Sequence, residues 1–234
     1  MRKNKLNAYF IFLSVIFMQL ITVNAVEKST AAVGMGGLII GRLKLDVGDL
    51  NSMLTKYGYP EIPQKLFLFG GCGYGIVDGT QIMGGYGFIG GFNKGLGNRF
   101  ISLGYGGGGF ASGLGYNTRE TFVGIMLTIG GFGMDLKLTK RPEKLSSAEE
   151  ILDEPSVTST SHINGGALYI SLGVIANYRT GNSIIGMNFG KMFFPGFKWK
   201  TELGTELLDL PAIKSARYCF LDLLWGGEKK ENEK

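Results

Sequence analysis

A single histidine, His162, two cysteines, Cys72 and Cys219, and scattered acids are the groups on this 234-residue chain that most often carry chemistry. Nucleophilic hydrolysis needs a nucleophile, a base and an orienting acid in one place. Ser112 lies in "GFASG", which lacks the GxSxG spacing of a nucleophile elbow. His162 stands beside a long polar stretch and reads as a loop residue. A glycosidase needs two facing carboxylates, and no acidic cluster suggests them. Asp222 alternates with apolar neighbours and reads as an inward polar group, whereas Asp135 and Lys137 read as rim charges. Two separated cysteines and one histidine do not make a zinc site. "SAEEILDE" at 147–154 has acids but no EF-hand pattern, and reads as solvated. "GYGFIG" at 85–90 matches GxGxxG, yet "GFNKGLGN" follows where a dinucleotide site needs a helix. "GMNFGKM" at 186–192 lacks the spacing and hydroxyl of a P-loop. No catalytic residue, cofactor-binding residue or metal ligand is therefore expected, and the chain reads as a non-enzyme that needs no cofactor.

The elements that would position any site are marked by glycine. The chain holds 39 glycines, two to three times ordinary usage, interleaved with Phe, Tyr, Leu, Ile and Met. Such a chain can bury enough to fold. Strands are expected at Val33–Leu45, Lys65–Val77, Thr80–Asn93, Asn98–Asn117, Glu120–Leu138, Ala167–Tyr178, Ser183–Phe193 and Ala216–Trp225. Asp78-Gly79 signals a hairpin. Leu50, Met53, Leu54 and Tyr57 fall on one helical face, with Asp49 to cap its start, Gly58 to end it and Pro60 to stop it. The fourth strand is long enough to bend or break in its middle. The stretch 139–161 is polar and reads as a long loop with a short helix at 147–152, and 195–215 reads as irregular.

Double glycines recur in mid-strand: Gly36-Gly37, Gly70-Gly71, Gly84-Gly85, Gly106-Gly107 and Gly130-Gly131. In antiparallel neighbours these form a band across the sheet. Around Gly130-Gly131 the apolar parity changes, from Val123, Ile125, Leu127 and Ile129 to Phe132, Met134, Leu136 and Leu138. A β-bulge or sharp bend explains that change, as in strands that coil to close a barrel. The alternative is that the glycines only make room for aromatic neighbours. The fold class expected is all-β: about eight antiparallel strands in a small barrel or a two-layer sandwich, with one short helix between strands 1 and 2.

The N-terminus reads as a signal peptide, residues 1–25. Arg2, Lys3 and Lys5 precede an apolar run from Ala8 to Val23, and Val23-Asn24-Ala25 suits cleavage after Ala25. The rest, 26–227, is one β domain, followed by a charged tail at 228–234. The net charge of +5 includes those three early cations, so charge does not argue for nucleic acid. Export permits a disulfide between Cys72 and Cys219, but two buried thiols would suit the sequence equally. Trp199, Trp225, Phe193, Phe194, Phe197 and Tyr218 gather late, as core residues or as an interfacial girdle.

The segments "LNSMLTKYGYPEIP", "FLFGGCGYG", "GGYGFIGG", "SLGYGGGGF" and the terminal "LLWGG" resemble exported, glycine-rich bacterial proteins of unknown function, usually taken as outer-membrane-like β-proteins. The resemblance brings no catalytic residues. It implies a non-enzymatic outer-membrane barrel with a structural, adhesive or binding role, and membrane lipid as its partner. The other reading is a soluble exported barrel or sandwich, periplasmic or secreted, binding an apolar ligand or a protein.

Overall fold

The computed structural model describes residues 32–77, 79–118, 120–141 and 159–226. The signal segment, Asp78, the helix at 147–152 and the tail at 228–234 lie outside the described residues.

Among the described residues, ten strands and one helix follow in chain order: β1 (Ala32–Leu45), α1 (Gly48–Lys56), β2 (Lys65–Val77), β3 (Gln81–Leu96), β4 (Arg99–Asn117), β5 (Thr121–Lys140), β6 (Ser159–Thr180), β7 (Ser183–Phe193), β8 (Lys198–Thr201), β9 (Glu206–Leu207) and β10 (Ser215–Trp225). Neighbours pair antiparallel in the order β5-β4-β3-β2-β1-β10-β7-β6, and β6 returns to β5. The sheet therefore closes as an eight-stranded barrel and is not a sandwich. A walk from Lys44 by direct partners passes Arg217, Lys191, Leu172, Leu127, Ser112, Met83 and Gly75, and re-enters β1 at Gly34, ten residues away. That offset tilts the strands by roughly 40° from the axis.

One end of the barrel carries tight turns. Gly79 and Gly181 take φ of 66° and 61° there, the left-handed region that favours glycine. The other end carries α1, the β5–β6 connection and the β8–β9 hairpin. β4, β5 and β6 run 19, 20 and 22 residues, against 11 for β7 and β10. One side of the wall thus stands taller at the loop-bearing end.

The interior is filled. Near the turn end, Met35, Ile82, Phe122, Met126 and Leu224 form one apolar plug. Toward the loop end, Phe88, Phe132, Tyr169, Phe194, Trp199 and Phe220 anchor a larger one. Rings pack edge to face or offset, as in Tyr86–Phe220 at 5.5 Å and Phe197–Trp199 at 5.0 Å. Between the plugs, β5, β6, β7 and β10 each turn a polar residue inward: Thr128, Ser171, Asn188 and Asp222, all fully buried.

Several expectations need correction. β5 contains no bulge: it pairs with β4 and β6 without an inserted residue through Gly130 and Gly131. Phe122, Met126, Thr128, Phe132, Met134 and Leu136 are all buried on one inward face. What changes along β5 is the outside, from Val123 and Ile125 to Asp135 and Lys137. The parity shift records a change of surroundings and not of geometry. β4 likewise pairs without a break along its length. Asp49 lies in the first turn of α1, with Val47 before the helix, and makes no side-chain cap. Residues 139–140 and 159–161 belong to β5 and β6, so the loop is shorter than the sequence suggests. The stretch 195–215 contains the β8–β9 hairpin.

The glycine pairs divide by face. At the inward members Gly37, Gly70, Gly84 and Gly130, a Cβ would fall on a carbonyl oxygen of the adjacent strand. At inward Gly107 it would lie 2.9 Å from the Gly131 carbonyl. Outward Gly36 and Gly71 have ordinary room, at 3.6 and 3.4 Å, and Gly131 has nothing within 4 Å. Outward Gly85 and Gly106 are tighter, at 2.8 and 3.1 Å. Other inward glycines make room for rings, as Gly165 does for Trp199 and Phe197. Close approach of neighbouring backbone thus accounts for the inward members of the pairs, and room for rings for other inward glycines.

Gly130→Val should cost roughly 3 kcal/mol or prevent folding, because backbone must move. Gly131→Val should change stability by only about 0.5 kcal/mol. Gly181→Val should cost about 1–2 kcal/mol through its left-handed backbone. Urea unfolding of the refolded protein followed by circular dichroism measures all three; equal losses at 130 and 131 would refute the division by face.

Candidate functional site

The tall wall of β4–β6, the helix α1 and the β8–β9 region enclose a cleft at the loop-bearing end. It has a volume of about 690 Å³, within the range of small-molecule sites. Leu50, Met53, Leu54 and Tyr57 come from α1, Leu136 and Leu138 from β5, and Ile163 from β6. Tyr59, Leu207, Leu208 and Leu210 complete the apolar lining, with Arg99, Glu206 and Asp209 as its charged groups.

Local contacts hold this lining in place. Leu50 and Leu54 are the buried face of α1 and join the main core. Asn51 pins the helix to the returning chain: its Nδ2 donates to the Ile62 carbonyl at 2.8 Å, and its Oδ1 accepts from the Ile62 N–H at 2.9 Å. The helix ends at Lys56, and Gly58 just beyond it takes φ of 73°, the left-handed turn that its place in the sequence suggests. Arg99 at the start of β4 donates to the Tyr57 carbonyl and lies 5.2 Å from the centre of the Tyr59 ring. On the far side, Trp199 is buried and donates through Nε1 to the Pro211 carbonyl at 2.9 Å. Lys198 pairs with Glu206 at 2.8 Å across the hairpin. That pair is exposed and contributes little stability by itself. The cleft therefore presents an apolar bed, and its arginine and one of its two acids are already engaged with protein groups. Leu208 stays 84% exposed at its edge.

The other candidate residues are dispersed. His162 sits on β6 opposite Lys137 of β5, and not in a loop. Ser112 is on the outward face of β4, two strands from it. Asp222 is fully buried inside the barrel, the inward polar group expected. Asp135 is opposite Gly104 and Asn164 on the outward face. Cys72 points inward on β2 and Cys219 outward on β10, and both are free thiols. Among the described residues, no group of three or more His, Cys, Asp or Glu is placed to hold a metal. The late aromatics separate: Trp199, Phe194, Phe197 and Tyr218 are core, whereas Phe193 and Trp225 face outward. Sequence reasoning missed the cleft. Its one signal was Leu207, Leu208 and Leu210, an apolar cluster inside a segment otherwise read as irregular.

No protein-family model matches the chain, and no curated protein matches it. Among solved structures, it is similar to Ail, the attachment invasion locus protein of Yersinia pestis, crystallised with the heparin analogue sucrose octasulfate. That likeness has a TM-score of 0.39 and 12% identity over 85% of this chain and 97% of that one. It is also similar to the outer membrane protease OmpT from Escherichia coli, with a TM-score of 0.36 and 11% identity over 86% of this chain and 98% of that one. Scores this low do not bear on what the chain binds or does.

Asn51→Ala should remove both pinning hydrogen bonds and loosen α1 by about 1–3 kcal/mol. Hydrogen exchange should then quicken in α1 while the barrel strands keep their protection. Unchanged exchange in α1 would show that its apolar face alone holds it.

Proposed function

We propose that this chain is an integral outer-membrane barrel of non-enzymatic character, whose cleft at the loop-bearing end binds an apolar ligand or a protein partner. One observation carries the membrane reading. The outer wall exposes large apolar side chains all the way round: Leu38 and Ile40 on β1, Phe67 and Phe69 on β2, Ile89 on β3, Phe110 and Leu114 on β4, Val123 and Ile125 on β5, Leu168 and Leu172 on β6, Ile185, Met187 and Phe189 on β7, and Leu221 on β10, each 39–70% exposed. Soluble monomers rarely leave such a surface to water. The interior already has its own plugs, so these residues are not spare core.

The dimensions support the same reading. On β6 the outward run Leu168, Ile170, Leu172, Val174, Ala176 and Tyr178 covers eleven residues without a charge. On β5 the run from Val123 to Gly133 has the same length. Eleven residues at about 40° of tilt rise roughly 25 Å, the height of a barrel's apolar band. Tyr116, Tyr178 and Trp225 lie outward at the turn end, each more than half exposed, as an interfacial girdle would. Short turns throughout one end, and three long connections beside the tight β3–β4 turn at the other, match the periplasmic and outer faces of such barrels. A filled eight-stranded barrel is no pore, and the cleft supports a binding role at the exposed end.

Fractionation of the producing cells tests this directly: the protein should sediment with the outer membrane and resist high-salt extraction. Recovery in the soluble fraction without detergent would favour the soluble exported barrel. In lipid vesicles, Leu172→Arg within the band should lower folding stability by about 2–4 kcal/mol, and Ser102→Arg, beyond it, by about 0–1 kcal/mol. Equal effects at the two positions would sink the membrane placement.

A further inference from the structure

Four cations stand in one row across four adjacent strands. Lys65 of β2 is the direct partner of Lys44 on β1, Lys44 of Arg217 on β10, and Arg217 of Lys191 on β7. Their chain neighbours Leu43, Leu45, Leu66, Tyr218 and Met192 are buried, so all four side chains lie on the outer wall, and all four are exposed. Arg42 lies two residues from Lys44 toward the turn end, opposite Phe67 and Cys219. Like charges placed directly opposite each other on a sheet repel and destabilise it. Among the described residues no ion pair relieves this row. Asp46 lines the same depression, of about 350 Å³, with Gln64, Ser215, Lys44, Lys191 and Arg217, but forms no salt bridge with them. Lys191 lies over the Phe193 ring at 4.9 Å, which anchors its stem without cancelling its charge.

The setting names the counter-charge. Immediately toward the turn end the same strands expose Phe67 and Phe69, Ile40, Leu221 and Phe189. With the strands tilted by roughly 40°, each step along the row also drops about 3 Å toward the turn end. The row therefore slants from Lys65 at the edge of the apolar wall to Lys191 inside its margin. The long stems of the lower cations reach up toward the lipid headgroups in the membrane reading above, on which this inference rests. Three inter-strand steps span about 14 Å. A point anion would meet one or two of the four cations. A headgroup with two separated phosphates meets them all, while its acyl chains lie on the apolar wall below. We propose that the row Lys65–Lys44–Arg217–Lys191 is a binding site for a bisphosphorylated lipid of the outer leaflet.

The test uses the full barrel in zwitterionic detergent, titrated with diphosphoryl lipid A, monophosphoryl lipid A, phosphatidylcholine or inorganic phosphate. Native mass spectrometry reads retained lipid, and thermal unfolding reads stabilisation. Diphosphoryl lipid A should be retained and should raise the midpoint, with weaker binding at high salt. The double variant Lys44→Gln/Arg217→Gln should lose tenfold or more in affinity. Without lipid the same variant should unfold at a temperature equal to or above the parent, because repulsion is relieved. Lys200→Gln, on β8 and outside the row, should bind as the parent does. Undiminished binding by the double variant would overturn the proposal. So would equal retention of phosphatidylcholine, or stabilisation by inorganic phosphate alone that matches the lipid. These readings are made in detergent, so a protein that fractionates as soluble would refute the membrane placement without deciding the affinity of the row.

Discussion

The ten-residue offset with which the sheet closes is the constraint on which the rest depends. Eight strands at that offset make a narrow tube, and the concave face of a narrow tube is crowded. At Gly37, Gly70, Gly84 and Gly130 the neighbouring strand's carbonyl oxygen occupies the place of a side chain. Where the backbone fills the lumen in this way, few side chains are needed to complete it. Those that enter are large: Phe88, Phe132, Tyr169 and Phe220 reach inward beside glycines that leave them room. The core is thus built from alternating absence and excess, and each requires the other.

The cleft depends on a second inequality, that of strand length. Because β4, β5 and β6 outrun β7 and β10, their inner faces at the loop-bearing end have no opposite wall. Leu136, Leu138 and Ile163 would lie open there. The chain covers them with α1 from one side and with the Phe194–Ile213 segment from the other, and Trp199 drops into the space beside Gly165. The cover is incomplete, and the cleft is what it leaves. Its position therefore follows from topology more than from any local motif.

Much of this was legible in the chain. The strands, the helix, the hairpin at Gly79 and the inward Asp222 all come from short-range signals: period, turn glycine and alternation. What misled was the assumption that a strand has one apolar face. Val123 through Ile129 face out and Phe132 through Leu138 face in, on one unbroken strand with two apolar environments. A bulge and a change of surroundings leave the same trace in a sequence. The cleft was illegible for a different reason. Its walls are brought together by register between β4, β5 and β6 and by a hairpin that adds to β6 beyond the end of β7. The cation row was hidden likewise, because Lys44, Lys65, Lys191 and Arg217 are neighbours only across the sheet.

The double plug, with Thr128, Ser171, Asn188 and Asp222 shut between its halves, sets how the two ends of the molecule can communicate. No solute can carry a message along the axis. A wall of continuous backbone hydrogen bonds around a close-packed core is also stiff, so little displacement is transmitted from rim to rim. An event at the cleft stays at the cleft. The construction is that of a fixed landmark, whose two end surfaces are mechanically separate.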